Sequence, residues 1–260
     1  MMQKYDMNFK KRKADICLVY KNVDGLDLPM HIYFPNGDIH KAQSVLFIHG
    51  GGWNDAIRNK TEWTGGWMAN NARYFAEQGF VSIAISYRSL LVSPAMNVLD
   101  ILKDCTDAIE FLKTHFKFIN FGNIAYVGES AGGYITAMLG LSQNDELRPK
   151  YAICLNPVLD SLDGKWSYGF KNCNDINKLT PKNVIGDKCA KFLFVHGVKD
   201  TTVEIEQTRI LHNMLLESNY TSEMIELPDA QHAFGLYDYI ATDEEVTKVM
   251  EDIVNFLNQN

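Results

Sequence analysis

The chain has 260 residues, a net charge of −7 and a hydrophobic fraction of 46%, which is typical of a folded globular protein. The acidic balance argues against a nucleic-acid partner or an anionic membrane surface. No signal-peptide core and no run of about 18 apolar residues occurs, so we expect a cytoplasmic protein without a membrane-spanning helix. The five cysteines form no C-x-x-C pair, which argues against a disulfide framework or a zinc site.

Apolar patterns predict strands and helices that alternate along the chain. An antiparallel pair of strands is expected at residues 16–20 and 30–34, joined by a turn at Asp24 and Gly25. Further strands are predicted at 44–49, 80–87, 124–127, 151–155, 192–196 and 223–227, and helices at 67–78, 95–116, 132–139, 204–218 and 244–257. Continuous apolar strands between amphipathic helices predict an α/β fold, with a mostly parallel sheet covered by helices on both faces.

We expect residues 1–260 to form a single domain, because no internal repeat, low-complexity tract or flexible linker divides the chain. Residues 160–189 lack clear periodicity and are rich in aromatic and polar side chains. This composition predicts an irregular excursion over the functional site, which in such sheets lies at the carboxyl ends of the strands.

The stretch Gly128-Glu129-Ser130-Ala131-Gly132 lies between a predicted strand and a predicted helix. A serine on such a sharp turn points its hydroxyl out of the fold, beside the N–H groups and positive dipole end of the following helix. A side chain at Gly128 or Gly132 would collide with neighbouring backbone. The pattern therefore makes Ser130 the candidate nucleophile of a hydrolase.

A serine hydroxyl needs a base within hydrogen-bonding distance, and the base needs an orienting acid. Of the seven histidines we select His232, which follows the last predicted strand in a loop before the last helix. Asp200 is the preferred acid, because it comes a short loop after the strand at 192–196. The chain order Ser130, Asp200, His232 is the order expected for this type of serine turn.

Other ionisable residues near these motifs are alternatives or structural groups. Asp160, after the strand at 151–155, is the rival acid. Asp229 is close to His232 in sequence, which makes it a poor partner, and the side chain of Glu129 should point away from the serine hydroxyl. Two further histidines at strand ends are expected to be hydrogen-bonded structural residues: His49 and His196.

The stretch His49-Gly50-Gly51-Gly52-Trp53 ends another predicted strand. Consecutive glycines leave backbone N–H groups bare, and such donors can stabilise the oxyanion that forms when a serine attacks a carbonyl. We expect the N–H groups of Gly51, Gly52 and Ala131 to form this oxyanion hole. A phosphate-binding loop or a plain turn is the alternative, but neither nucleotide-binding glycine pattern accompanies the run.

These motifs together resemble the α/β-hydrolase superfamily, in its esterase and lipase group. The H-G-G-G-W run is similar to that of hormone-sensitive-lipase-like enzymes and of bacterial acetyl- or feruloyl-esterase-like enzymes, and kynurenine formamidases share a related H-G-G-x-W motif. The resemblance implies a Ser-Asp-His triad of Ser130, Asp200 and His232, with no cofactor and no metal. The first strand is predicted near Ile16, so we expect a short or absent cap.

The resemblance favours a small-molecule partner, a short-chain carboxylic ester, cleaved through an acyl-enzyme. Trp53 and Trp166 are candidate walls of the substrate pocket, whereas Trp63 and Trp67 are expected to pack a helix start against the sheet. The alternative activity is amide hydrolysis of the kynurenine-formamidase kind. A minor alternative is a catalytically silent binding protein. Nothing in the sequence indicates an oligomeric state.

Overall fold

The computed structural model describes residues 12–54, 67–161, 164–234 and 243–259. Within these ranges eight strands form one sheet in the order β1-β2-β4-β3-β5-β6-β7-β8. The strands are β1 (Ile16–Val23), β2 (Leu26–Tyr33), β3 (Ser44–Ile48), β4 (Val81–Ile85), β5 (Ala125–Glu129), β6 (Tyr151–Leu155), β7 (Lys191–Gly197) and β8 (Ser222–Leu227). The first two strands run antiparallel to their neighbours, and all other pairs are parallel. The predicted mostly parallel sheet is confirmed.

Five α-helices in the described part of the chain cover the sheet: α1 (Trp67–Glu77), α2 (Val98–His115), α3 (Ala131–Gly140), α4 (Ile205–Glu217) and α5 (Asp243–Asn258). Alternate residues of the strands point to opposite faces, so Leu193 belongs to a core that includes side chains of α1 and α5, while Phe192 belongs to a core that includes side chains of α4. Buried side chains of α2 and α3 share a third core with the opening strands. Helices therefore lie on both faces, as predicted. Among the described residues, no helix is long and apolar enough to cross a membrane.

The opening hairpin differs in extent from its prediction. Its second strand begins at Leu26, directly after the turn at Asp24 and Gly25, whose φ angles of 52° and 81° suit a tight two-residue hairpin turn. Pro29 lies inside this strand, although proline cannot donate a ladder hydrogen bond. The register of β1 against β2 shifts between Val19 and Lys21, next to the pairing of Val19 with Pro29. This irregularity accommodates the proline within the strand.

Helix α2 begins three residues later than the predicted residue 95. Asn97 is its N-cap: its side chain accepts the Leu99 N–H, and the carboxylate of Asp100 accepts the Asn97 N–H at 3.0 Å. This capping box fixes the start of the helix after Pro94.

The sheet places two of the predicted motifs side by side. Strands β3 and β5 are hydrogen-bonded neighbours, yet β3 is followed in sequence by β4 on one side, and β5 is followed by β6 on the other. The strand order thus reverses between β3 and β5, which opens a crevice at their carboxyl ends. The glycine run after β3 and Ser130 after β5 both lie at this position.

Candidate active site

Ser130 occupies the sharp turn between β5 and α3 with φ 53° and ψ −115°. A non-glycine residue at positive φ is sparsely populated and costs on the order of 1–3 kcal/mol, so the surrounding structure must hold it in place. Its N–H donates to Leu155 O at 2.9 Å, and its carbonyl accepts the N–H groups of Tyr134 and Val158. The side chain makes no capping hydrogen bond to α3, which leaves the hydroxyl available to another partner.

The two glycines of the turn are required by close backbone approach. A Cβ at Gly128 would lie 2.2 Å from Gly132 O, and a Cβ at Gly132 would lie 2.2 Å from Ile48 O. Side chains cannot tolerate such distances without movement of the backbone. The first turn of α3 therefore packs directly on the end of β3, where the glycine run begins.

The structure brings Ser130, His232 and Asp200 into one hydrogen-bonded series. His232 Nε2 lies 2.9 Å from Ser130 Oγ, and His232 Nδ1 lies 2.7 Å from Asp200 Oδ2. The Asp200 side chain is fully buried and that of His232 is 16% exposed. Because an ionised carboxylate only accepts, Nδ1 carries the hydrogen, and Nε2 is left to accept the serine proton.

The Asp200 carboxylate is held as an anion. Burial acts to raise the pKa of Asp200, but hydrogen bonds from His196, His232 and the Val203 N–H outweigh it and hold the pKa well below its ordinary value. Oδ1 accepts the N–H groups of Thr202 and Val203 at 2.8 and 2.9 Å. This turn at the start of the loop fixes the direction in which Oδ2 faces His232.

The loops after β7 and β8 are joined by backbone contacts, which is why Asp200 and His232 meet. Val198 N–H donates to Leu227 O at 2.9 Å, and Lys199 N–H donates to Ala230 O at 3.1 Å. A Cβ at Gly197 would lie 2.3 Å from Ala230 O, so this approach requires glycine. The pairing of β7 with β8 thus continues into the loops that carry the two side chains.

The alternative acids lie elsewhere. Lys182 Nζ is 3.5 Å from Asp160 Oδ2, and Asp229 forms an exposed ion pair with Lys199 at 2.6 Å. The side chain of Glu129 lies against Gly50, because a Cβ on that glycine would be 2.7 Å from Glu129 Oε2. Of the acids considered from the sequence, Asp200 is the one hydrogen-bonded to His232.

The glycine run after β3 has three consecutive left-handed residues, with φ 91° at Gly51, 59° at Gly52 and 60° at Trp53. Its carbonyl oxygens are anchored. Gly50 O accepts His49 Nδ1–H at 2.8 Å and Tyr87 O–H at 3.1 Å, and Gly51 O accepts Asn54 N–H at 3.0 Å. In a planar trans peptide the N–H points opposite to the carbonyl. Each anchored carbonyl therefore orients the next N–H group, those of Gly51 and Gly52.

The N–H groups predicted to form the oxyanion hole are not engaged by any other described residue. Within the part of the chain that the structure describes, the N–H groups of Gly51, Gly52 and Ala131 donate to no carbonyl or side chain. Ala131 is the first residue of α3, where helical N–H groups lack an internal partner. Unpaired donors from two adjacent segments next to a serine hydroxyl suit the binding of an anionic oxygen.

The two tryptophans predicted as walls of the substrate pocket are buried in the structure. The Trp53 side chain is fully buried: its Nε1–H donates to Ala131 O at 3.0 Å, and its ring packs edge-on against Tyr134 and Phe170. Trp166 is 7% exposed and packs edge-on against Trp53. Trp53 thus supports the glycine run from inside the fold and is not an exposed wall. Trp63 and the Trp67 side chain lie outside the described residues.

The irregular segment contacts the glycine run, although no sequence pattern indicated how. Residues 164–189 contain three short 3-10 helices, Ser167–Phe170, Ile176–Leu179 and Pro181–Asn183. Tyr168 O–H in the first donates to Gly52 O at 2.7 Å. The sequence did not predict that Tyr168 and Tyr87 hold the glycine run, because a tyrosine in a loop or at a strand end belongs to no motif of this site.

Curated relatives of the chain are similar to it over most of its length. A kynurenine formamidase of Meyerozyma guilliermondii is 25% identical over 239 residues, which is 81% of this chain and 84% of the relative. Esterase LipC of Mycobacterium tuberculosis is 26% identical, covering 84% of this chain but 58% of the relative. Among solved structures, Thermogutta terrifontis esterase 2 phosphoramylated by tabun has a TM-score of 0.77 and 22% identity over 94% of either chain. This last likeness shows the fold.

Two family models match the chain, each over more than half of it. Residues 30–165 match the BD-FAE model, and residues 99–260 match the model of the prolyl oligopeptidase family. The first match contains the glycine run and the Ser130 turn, and the second contains Ser130, Asp200 and His232. The chain therefore belongs to the BD-FAE family and is a serine hydrolase of the α/β-hydrolase superfamily, in its esterase and lipase group.

Proposed function

We propose that this protein hydrolyses short-chain carboxylic esters through an acyl-enzyme formed on Ser130. The observation that carries the proposal is the series of two hydrogen bonds from Ser130 Oγ through His232 to Asp200, at 2.9 and 2.7 Å. Both distances are those of well-formed hydrogen bonds. A positioned base and an orienting carboxylate are what a serine hydroxyl needs to act as a nucleophile at neutral pH.

In the first step Ser130 Oγ forms a bond to the ester carbonyl carbon while His232 Nε2 takes the serine proton. The tetrahedral intermediate then collapses, the bond to the alcohol oxygen breaks, and His232 returns the proton to the leaving alcohol. In the second step His232 takes a proton from water, whose oxygen attacks the acyl-enzyme, and the released Ser130 recovers its proton. Asp200 stabilises the imidazolium in both steps.

The negative oxygen of each tetrahedral intermediate needs donors that are already in place. We assign this role to the N–H groups of Gly51, Gly52 and Ala131, which have no other acceptor among the described residues. Donors oriented before the reaction cost no reorganisation when the charge develops, and removal of one such donor typically raises the barrier by about 3 kcal/mol.

The relatives support the choice of ester substrates. Two matched mycobacterial proteins are described as an esterase and as a probable carboxylic ester hydrolase, each about one-quarter identical to this chain. Thermogutta terrifontis esterase 2 has been solved with propionate bound. A Cβ added at Gly52 would meet Tyr168 Oη at 2.8 Å and Trp166 at 3.6 Å, so aromatic side chains crowd this part of the glycine run. These observations favour a short acyl chain.

Formamide hydrolysis is the second candidate. The kynurenine formamidase relative is matched along 84% of its own length, so the two chains are of similar extent. The same serine, base and oxyanion donors serve an amide, but an amine leaves only after His232 protonates it. The two activities therefore use the same serine, base and oxyanion donors, and they differ in the substrate groups that bind next to these residues.

The test compares p-nitrophenyl acetate, butyrate and a long-chain ester with N-formylkynurenine, using the wild-type protein and Ser130→Ala. The proposal predicts rapid turnover of the short esters, slower turnover of the long one, and loss of both in Ser130→Ala. Fast cleavage of N-formylkynurenine with weak ester turnover would select the formamidase. Turnover that persists in Ser130→Ala would overturn the acyl-enzyme mechanism.

A further inference from the structure

A second histidine contacts the carboxylate that faces His232. His196, near the end of β7, is fully buried. Its Nε2 lies 3.1 Å from Asp200 Oδ2 and 3.1 Å from Val203 O, and its Nδ1 lies 2.8 Å from Thr208 Oγ1 on α4. Every polar atom of this ring therefore has a partner, and one of them belongs to the proposed triad.

The partners determine how His196 is protonated at Nε2. Carboxylate and carbonyl oxygens only accept, so Nε2 carries a hydrogen that it shares between Asp200 Oδ2 and Val203 O. The hydroxyl of Thr208 can donate to Nδ1 on the other side of the ring. The ring is thus fixed from β7, from α4 and from the loop between them, and its Nε2–H is aimed at Asp200.

The Asp200 carboxylate has no acceptor capacity left unused. Oδ1 accepts the N–H groups of Thr202 and Val203, and Oδ2 accepts hydrogen bonds from His232 at 2.7 Å and His196 at 3.1 Å. Two donors on each oxygen match the roughly four lone-pair sites of a carboxylate. The same oxygen, Oδ2, therefore divides its charge between the proposed catalytic base and a buried histidine outside the triad.

We infer that His196 is a positioning residue that acts on Ser130 through Asp200: it fixes Oδ2 toward His232 and limits how strongly that oxygen attracts the His232 proton. The inference rests on the proposed triad. Without the hydrogen bond from His196, the Asp200 carboxylate rotates more freely, and the charge on Oδ2 acts on His232 alone. Protonated His232 is then held more firmly, so the base is released for catalysis only at higher pH.

Other charged groups near this pair are already committed to partners. Glu226, which lies beside His196 in the register of β7 and β8, is bound by Arg209 at 2.6 Å. Lys199 in the loop before Asp200 pairs with Asp229 at 2.6 Å. Glu129, at the end of β5, lies against Gly50. The further ionisable residues of the elements that flank His196 are Glu206, His212 and Glu217 of α4, its N-cap residue Glu204, Glu223 of β8, and Tyr151 and Cys154 of β6.

The experiment removes or retains the donor at position 196. His196→Gln keeps an N–H near the position of Nε2, whereas His196→Leu removes it. Leu211→Ala is the matched control, because it opens a cavity in the core between α4 and β7 without touching Asp200. Folding of each variant is verified by its thermal unfolding transition. His196→Asn, whose shorter amide does not reach Oδ2, replaces the leucine variant if that protein does not fold.

The readout is the rate at which a fluorophosphonate labels the serine, measured from about pH 5 to about pH 9. Labelling needs an activated serine but no particular ester, so it separates this inference from the proposed substrate class. We expect the acidic limb of His196→Leu to move up by roughly half a pH unit or more, with labelling near neutral pH slowed by roughly threefold to tenfold. His196→Gln should keep most of the wild-type profile, and Leu211→Ala should keep the position of its limb.

An unchanged limb in both His196→Leu and His196→Asn would overturn the inference, as would an equal shift in Leu211→Ala. A wild-type protein that labels normally but cleaves no ester would contradict the proposed function. The labelling rates of the variants would then still test the role of His196. A wild-type protein that does not label at any pH would overturn both.

Discussion

The indole N–H of Trp53 donates to the carbonyl oxygen of Ala131 at 3.0 Å. This bond joins the residue after the glycine run to the residue after the candidate nucleophile, two segments that lie far apart in sequence. Both segments carry N–H groups that we assign to the oxyanion hole. Because Trp53 is also fully buried among aromatic rings, this bond ties the relative position of the two sets of donors to the core.

Tyr168→Phe tests whether the irregular segment positions the glycine run. The change deletes the hydroxyl that donates to Gly52 O at 2.7 Å and keeps the ring. We expect kcat/KM for a short ester to fall by about threefold to tenfold, because a weakly held Gly52 positions the oxyanion donors less well.

Tyr220→Phe is the control for this change, since Tyr220 O–H donates to Gly186 O at 2.5 Å in a loop that contacts none of the proposed catalytic residues. Equal losses in the two variants, or no loss in Tyr168→Phe, would contradict a positioning role for Tyr168.

Gly132→Ala tests the close approach at the serine turn. Alanine is normally the better helix former by about 1 kcal/mol, so propensity alone predicts stabilisation in α3. A Cβ at this position would instead lie 2.2 Å from Ile48 O and 2.4 Å from His49 O. We expect the free energy of unfolding to fall by roughly 3 kcal/mol or more, as measured by urea unfolding.

Gly37→Ala is the matched substitution, because nothing lies within 4 Å of a Cβ there. It should change the free energy of unfolding by no more than about 0.5 kcal/mol. A Gly132→Ala protein as stable as Gly37→Ala would show that the turn is looser than the structure has it.

The two candidate acids are distinguished by the pair Asp200→Asn and Asp160→Asn. Asparagine at position 200 keeps the shape but not the charge that fixes the His232 tautomer, and we expect kcat to fall by about 10⁴-fold. Asp160 pairs with Lys182 at 3.5 Å and does not contact His232, so its variant should remain within about threefold of the wild type. Steady-state ester hydrolysis measures both. A large loss in Asp160→Asn alone would reverse the assignment.

The pH dependence of activity should show a single ionisation on its acidic side. The pKa of Asp200 is held well below its ordinary value, against the effect of burial, by hydrogen bonds from His196, His232 and Val203. A lowered pKa means that Asp200 stays ionised as the pH falls to about 4, where an ordinary aspartate begins to protonate. Protonation of Asp200 therefore does not contribute to the acidic limb of the activity profile above about pH 4.

A plot of log(kcat/KM) against pH should accordingly rise with a slope of one on the acidic limb. A slope approaching two would mean that a second group, such as Asp200, protonates in the same range and that its carboxylate is less well stabilised than the contacts indicate.

Local sequence patterns predicted much of this arrangement. The turn around Ser130 was predictable because a strand, two glycines and a helix coincide within a few residues. Asp200 and His232 each follow a strand, and parallel strands bring their carboxyl ends to one edge of the sheet. What joins them, the approach of Gly197 to Ala230, was not predictable, because it depends on two loops from different strands.

The contacts of aromatic residues were the part that sequence reasoning missed. Trp53 follows a glycine run, and the pattern does not determine on which side of a left-handed turn its ring lies. Tyr168 lies in a segment without periodicity, so no sequence pattern predicted its hydrogen bond to Gly52. His196 was predicted as a structural histidine at a strand end, and its contact with Asp200 depends on the loop that returns the carboxylate to β7.

The most direct test of the central claim is to identify the residue that a fluorophosphonate modifies. The wild-type protein is treated with the probe and digested, and the modified peptide is located by mass spectrometry, with Ser130→Ala and His232→Ala alongside. The account predicts one adduct on Ser130, none in Ser130→Ala, and labelling slowed by about 10³-fold or more in His232→Ala. An adduct on another residue, or unchanged labelling in His232→Ala, would contradict it.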